Sequence, residues 1–533
     1  MKKIEMLLVI AIYLTYGCVQ RTNVELLDID GADMSKWKVP DGFNYEMSPD
    51  QSVHIDFTNG SSRMSMVETI QFAIVGTDYR DSVYALRVGY TSLNDGIDVQ
   101  IDRPLHIEKL FLYTKYQGNS KYFDVSEGNL TISMTDLEVA DSFFDETGAR
   151  TGGTPACTSF LGNATQIRCR EDGVFIKSSA SISYIDVNKL DGSVERTTPD
   201  QQSVNSNNNQ WFFSYEDFDM SLIRGFSVVA DCKTSPHTIS TELVTFINPC
   251  MTSSLDSDND GVDDHADIVP NDTDIASVTY IPAQNAYSTF AFEDMWPYLG
   301  DFDFNDLVIS HNAELYANAN DKVTQIIYDI NVEAIGAIFE NDLCISFSDP
   351  GASIGISIEQ IVDGGLNYEL HKLENKTEIR FKHIKQGFNT GGFINTDSAR
   401  SYQDPIEISL VVLLNGQVSV DDFEVDEYIR IDQEEGREVH KPGRAYTSLF
   451  DESWIGQAAD DTRPGEGKFF LTENNLPWVI EIPVSWEYPK EKVQISQAYP
   501  RFVDFVQGKS KSPWYTDESG NKVHKHLYKK SNR

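Results

Sequence analysis

The chain has 533 residues, enough for roughly three or four domains of ordinary size, each with its own core. Hydrophobic residues make up 40% of it, with abundant Tyr and Phe, which excludes a disordered chain. Its 83 acidic against 43 basic residues leave a net charge of −40, which repels phosphate backbones, argues against nucleic acid as a partner and suits either a solvated exterior or cations.

At the N-terminus, Lys2 and Lys3 precede an apolar run of about eleven residues from Met6, and Gly17-Cys18 follows. This predicts a secretory signal over residues 1–17, too short to serve as a transmembrane anchor. It resembles a bacterial lipoprotein signal, in which the cysteine after a small residue is acylated. The resemblance implies lipidation at Cys18, a polar tether over 18–36, membrane attachment through that lipid, and an outer-membrane or cell-surface location. The alternative is ordinary signal-peptidase cleavage with Cys18 discarded.

Downstream, period-two alternation dominates. Val53, Ile55 and Phe57 alternate with polar residues, and SVYALRVGY, HIEKLFLYTKY and GFSVVA continue the pattern. A first β domain is expected over 37–103 and a second, a β-sandwich, over 104–250. The polar insertion SVNSNNNQ at 203–210 reads as a loop tip. In an exported protein, spacing suggests the disulfides Cys157–Cys169 and Cys232–Cys250, each contributing about 3 kcal/mol through loop closure. Cys344, in an apolar string, reads as a buried free thiol. Further on, Ile326, Tyr328, Ile330 and Val332 alternate with Ile327, Asp329, Asn331 and Glu333, and IEISLVVLL and WVIEIPV supply more strands. The best helical stretch is short, around Val493–Val506, with Val493, Ala498, Phe502 and Phe505 on one face. The expected fold is all-β, a multidomain β-sandwich of Ig-like or jelly-roll-like modules with few short helices.

Between the halves lies an Asp-rich linker, 251–275, containing DSDNDGVDDHADIVPND. Counted from Asp256, Asp258 stands third, Asp260 fifth, Gly261 sixth, Val262 seventh, Asp264 ninth and Asp267 twelfth. That is the spacing of a calcium loop. Ca²⁺ takes six to eight hard oxygens, alternate residues of a tight loop point inward, a carbonyl at the seventh position adds one more, and glycine at the sixth permits the turn. No amphipathic helices flank it, and it resembles the aspartate-rich thrombospondin type-three repeats. The alternative is a charged, flexible linker.

Next comes FEDMWPYLGDFDFND, residues 292–306, which crowds Glu293, Asp294, Asp301, Asp303, Asn305 and Asp306 among aromatic rings. As an extended segment it would send Asp301, Asp303 and Asn305 to one side and Phe302 and Phe304 to the other. Rings would face the core and oxygens would face outward, toward a hard cation. Hydrogen bonding of these side chains to turn amides is the rival explanation.

The Asp-rich linker, FEDMWPYLGDFDFNDLVI, EGREVH (435–440), NNLPWVIEIP (474–483), YPKEKVQISQAYPRF (488–502) and PWY (513–515) together resemble the LruC-domain proteins. These are exported, often lipid-anchored bacterial proteins whose C-terminal region is a domain of unknown function. The resemblance spans roughly Asp256 to Tyr515 and implies a LruC-type β-rich region over 276–520, export and calcium as cofactor. It supplies no catalytic residues. The last residues, 521–533, read as a basic, solvated tail.

Enzyme signals are weak. Residues 351–355, GASIG, match GxSxG but follow Asp349-Pro350 amid strand-like residues rather than a strand-to-helix turn. His440 follows Glu438 in the REVH piece, but a lone histidine is more often structural. Trp211, Trp296, Trp478 and Trp514 could stack on sugars or fill cores. The expected function is a non-catalytic, calcium-binding envelope protein that binds a glycan or protein ligand or mediates adhesion. The alternative is a carbohydrate-active enzyme or its glycan-binding accessory.

Overall fold

The computed structural model describes residues 33–528 apart from internal stretches, the longest being 138–164, 198–209, 215–222, 244–255 and 349–356. Cys18, Cys157, Cys250, most of the 203–210 insertion and the GASIG segment therefore lie outside the described residues. Cys169 and Cys232 sit in the strands Thr165–Cys169 and Ile223–Thr234. Their side chains are not among those described, so both expected disulfides fall outside as well.

The fold is all-β, with strands in several sheets and helix confined to short pieces such as Ile495–Ala498 and Phe502–Val506. No helix among the described residues is long and apolar enough to cross a membrane. The strand Thr69–Thr77 reads TIQFAIVGT, and every residue after Thr69 is buried. A strand apolar on both faces belongs in a middle layer. On one side, Ile70, Phe72 and Ile74 pack against Val53, Ile55 and Phe57 of a small sheet built on Asp50–Asn59 and Ile97–Asp102. On the other, Ala73 and Val75 meet Ile185, Val187 and Phe226 of a second small sheet containing Ser181–Lys189 and Ile223–Thr234.

Thr69–Thr77 hydrogen-bonds to both Val83–Ser92 and Lys109–Tyr116, and Asp50–Asn59 pairs in parallel with Asn129–Ser133. Segments 37–103 and 104–250 thus share sheets and cores. The large sheet runs on through Ser277–Ile281 into Leu307–Ala317, Val323–Ala334 and Ile406–Leu413. Ser277–Ile281 is the seam strand. It pairs with Val83–Ser92 only at Val278↔Val88 and Thr279↔Arg87, but along its length with Leu307–Ala317. Beside this seam, the buried Arg87 bridges to Asp321 (2.7 Å) and Asp421 (3.0 Å).

In Val323–Ala334 the expected alternation holds: Ile326, Tyr328, Ile330 and Val332 are buried and their neighbours half-buried. They face Leu343, Ile345, Phe347, Ile379 and Phe381 of a five-stranded sheet, which forms a face-to-face sandwich. Cys344 is buried and free, as expected.

Both termini of the described chain are docked. Residues 33–36, expected in a tether, include the turn Met34–Lys36 capped by Asp33, and Met34 is fully buried. Trp37, Val39 and Tyr45 join a core with Trp486, Tyr499, Phe502 and Trp514. The Tyr45 hydroxyl donates to the Asn475 carbonyl (2.8 Å). In the expected basic tail, Lys522 pairs with Glu487 (2.8 Å) and Asp517, while Leu527 and Tyr528 are buried. Apolar Leu527 and Tyr528 overcome the local positive charge there, because burying them stabilises more than exposed charge repels.

Candidate metal centres

Asp256–Asp267 contains no strand or helix among its described residues and turns through Asn259 and Gly261, at φ +64° and +99°. The glycine at the sixth position meets a real need, because a side chain is strained at positive φ. Each of four aspartates spends one carboxylate oxygen on the loop's own backbone. The Gly261 N–H donates to Asp256 Oδ2 (3.0 Å), the Asp260 N–H to Asp258 Oδ1 (3.2 Å), the Val262 N–H to Asp260 Oδ1 (2.8 Å), and the Val269 N–H to Asp267 Oδ1 (2.8 Å).

The second oxygen of each, Asp256 Oδ1, Asp258 Oδ2, Asp260 Oδ2 and Asp267 Oδ2, is buried without a hydrogen-bond partner. Four orphaned carboxylate oxygens in one turn are costly unless something positive meets them. Asp256, Asp258 and Asp260 offer oxygens within 4.8 Å of one another. Oxygens that share a Ca²⁺ at 2.3–2.6 Å lie no more than about 5 Å apart, so the spacing fits. Burial and the charges of Asp260, Asp258 and Asp264 push the Asp267 carboxyl up to about 7.

Two expected positions behave differently. Asp264 turns both oxygens to Ser257, accepting from its N–H (2.7 Å) and hydroxyl (2.8 Å), so it braces the loop and is not among the orphaned set. The Val262 side chain packs with Ala266 and Ala276 against Tyr90 and Ala319, which seats the loop at the seam between the two halves of the large sheet.

The second crowded stretch is not the extended segment that its alternation predicts. Phe302 and Phe304 adopt left-handed φ values of +61° and +51°, and residues 300–306 belong to no strand. The expected sorting of rings inward and oxygens outward therefore fails. Phe302 and Phe304 are buried, and so are Glu293, Asp303 and Asn305, while Asp301 is exposed. The coil folds back on itself because carboxylates bind its own amides: the Phe304 N–H donates to Glu293 Oε1 (2.7 Å), and the Asn305 N–H to Asp303 Oδ1 (3.3 Å). The turn-amide rival thus accounts for part of the pattern, yet Glu293 Oε2 remains buried and unpartnered.

Glu293, Asp301 and Asp303 present oxygens within 4.8 Å of one another. Burial and the neighbouring carboxylates push Glu293 up to about 8 and Asp303 up to about 10. Asp294 and Asp306 stand apart. Asp306 Oδ2 accepts from the Asp294 N–H (2.8 Å), and Asp294 Oδ2 accepts from Asn341 (3.0 Å). They form a buried pair beside the trio rather than part of it.

Gly300 makes room for the trio, since a Cβ there would lie 1.7 Å from Glu293 Oε2 and 2.7 Å from its Cδ. Gly300→Ala is expected to push Glu293 aside and weaken cation binding at this centre at least roughly tenfold, with the Asp256–Asp267 loop unaffected. Calcium titration calorimetry on the full chain checks this.

A third polar cluster is paired internally, with Glu378 Oε1 and Arg430 Nε buried and without a hydrogen-bond partner. His440, fully buried, lies between Asp426 (3.0 Å to Nδ1) and Glu438 (2.9 Å to Nε2) and stacks on Tyr428 at 4.0 Å. Arg430 bridges Glu378 (3.0 Å) and Glu438 (2.7 Å). The network is charge-paired within the core. Trp296, Trp478 and Trp514 are likewise core residues, at most 2% exposed, so they offer no sugar platform. The Trp211 side chain lies outside the described residues.

Among known proteins, residues 321–515 match a family described as a domain of unknown function, DUF4842. That stretch includes the His440 network and excludes the Asp256–Asp267 loop and Glu293–Asp306. A solved structure of a Bacteroides ovatus chain described as a lipoprotein is similar at 13% identity and a TM-score of 0.36, covering 72% of this chain and 98% of that one. No curated protein matches.

Proposed function

We propose that this is an exported, lipid-anchored, calcium-binding protein of the bacterial cell envelope that acts as a binding or adhesion module and carries out no catalysis. The observation that supports calcium most is the set of four buried, unpartnered oxygens on Asp256, Asp258, Asp260 and Asp267. Export and anchoring rest on the signal and Cys18. The LruC-domain resemblance points the same way. The burial of three of the four tryptophans weighs against the carbohydrate-active reading in its simplest form, sugar stacking on exposed indoles.

The test is a glycan and matrix-protein array probed with the full chain in calcium and in chelator, beside a polysaccharide digestion assay. Calcium-dependent retention without product release is the expected result. Product release from a polysaccharide overturns the non-catalytic reading. Membrane partitioning that is unchanged by Cys18→Ala overturns the lipid anchor.

A further inference from the structure

Glu293, Asp301 and Asp303 come from one short loop, but a distant part of the chain closes the space beside them. The Gly336 N–H donates to the Asn305 carbonyl (2.8 Å). A Cβ on Gly336 would lie 2.1 Å from Asn305 Oδ1 and 3.1 Å from Glu491 Oε2, so these two acceptor oxygens flank the Gly336 backbone, while Glu491 stands outside the group of Glu293, Asp301 and Asp303 oxygens that lie within 4.8 Å of one another. Asn305 is fully buried and its Oδ1 has no partner. Its Nδ2 is already committed to the Pro489 carbonyl (3.1 Å), so flipping the amide would break that bond. Glu491 Oε2 has a single long contact, to the Thr396 hydroxyl at 3.4 Å. Neighbouring acceptors with no hydrogen between them repel unless a positive charge joins them. Among the described residues, no Lys or Arg comes within ion-pair distance of Glu293, Asp301, Asp303 or Glu491, and the one lysine whose charge acts on Asp301 and Glu491, Lys492, does so from farther away.

The segment that brings Glu491 is also tied to the acidic loop through its backbone. The Lys492 N–H donates to Asp303 Oδ2 (2.7 Å) and the Ile495 N–H to the Phe302 carbonyl (2.8 Å). Behind these bonds, Ile495, Tyr499, Phe502 and Trp514 share a core with Phe302 and Phe304.

We propose that Glu491 completes a centre for a hard divalent cation with Glu293, Asp301, Asp303 and Asn305 Oδ1, and that the bound ion latches residues 489–506 onto the 293–306 loop. The inference rests on reading the Glu293 trio as cation ligands and is independent of the Asp256–Asp267 loop. With the ion absent, the two segments are held by the Lys492 and Ile495 backbone bonds and the shared core; with it present, one ion ties both together as well.

The test is hydrogen exchange of the metal-stripped full chain, with and without added calcium, read by mass spectrometry beside calcium calorimetry. Wild type, Glu491→Gln and the loop variant Asp258→Asn/Asp260→Asn are compared. Calcium is expected to slow exchange across 489–506 at least roughly tenfold in wild type and in the loop variant. Glu491→Gln should lose that protection and bind at this centre at least roughly tenfold more weakly, with binding at the loop unchanged. Exchange across 489–506 that ignores calcium in wild type overturns the latch without reliance on any variant. Unaltered affinity and protection in Glu491→Gln overturn the role of Glu491. If the loop variant binds calcium as wild type does, the loop reading falls and the latch stands; if wild type binds none, both fall.

Discussion

Calcium at about a hundredfold excess over its Kd is expected to raise the melting temperature of the full chain by roughly 5–10 °C per centre over its value in chelator. Each filled site contributes about 2.7 kcal/mol under that condition, and one kcal/mol moves a unit of 150–250 residues by about 2–4 °C. The sharper part of the expectation is a reversal of sign. Asp258→Asn/Asp260→Asn removes two like charges from a loop that holds Asp256, Asp258 and Asp260 oxygens within 4.8 Å of one another. In chelator the variant should therefore melt at or above wild type, because repulsion is relieved. In calcium it should melt below wild type, because two ligands are gone. A loop held by hydrogen bonds alone predicts a loss in both buffers, since the Asp260 N–H and Val262 N–H bonds to these carboxylates weaken either way. Differential scanning calorimetry in the two buffers separates the accounts.

Arg430→Met is expected to destabilise the C-terminal sandwich by about 3–5 kcal/mol, read as a lower urea midpoint. The guanidinium is nearly buried and is the cation shared by Glu378 and Glu438 (3.0 and 2.7 Å), both fully buried. Removing it leaves the buried Glu378 with only His371, at 4.0 Å, as an ion-pair partner and Glu438 with only His440, which costs more than the pair itself contributes. The same network sets a pH window. Burial alone would lower the His440 pKa, but the charge of Asp426 and the hydrogen bonds His440 donates to Asp426 and Glu438 outweigh it and hold the imidazolium above its ordinary value. Its contribution is thus complete below the unfolded value of about 6.5 and fades as pH rises through the folded value. Burial likewise raises Asp426 and Glu438, yet His440 pulls both below the ordinary carboxylate range. Their contribution is present above their unfolded values and fades as pH falls through the folded ones. Stability should therefore plateau between an acidic and an alkaline limb. His440→Gln should remove the alkaline limb, seen as urea midpoints that no longer fall on the basic side.

What was legible in the sequence follows from which forces are local. Alternation in Val323–Ala334 reports a half-buried strand directly, because side-chain direction is set by the backbone period. The four unpartnered oxygens between Asp256 and Asp267 lie close in sequence for the same reason: one short turn supplies them all. The 292–306 stretch misled because left-handed Phe302 and Phe304 break the period that alternation assumes, and they are held there by carboxylates of the stretch itself together with a distant segment. Glu491 could not be read at all. It reaches the Asn305 side chain from more than a hundred residues away in sequence, and nothing in its neighbourhood of charges distinguishes it. The docking of residues 33–47 against the C-terminal core is equally non-local, carried by Val39, Tyr45 and Asn475.

The most direct measurement is a crystal structure grown in millimolar calcium, with anomalous scattering used to place the ion. The account predicts an anomalous peak 2.3–2.6 Å from Asp256 Oδ1, Asp258 Oδ2, Asp260 Oδ2 and Asp267 Oδ2, the four oxygens that lack partners. Those oxygens hydrogen-bonded to water or to a lysine, with no peak among them at that calcium concentration, would contradict it.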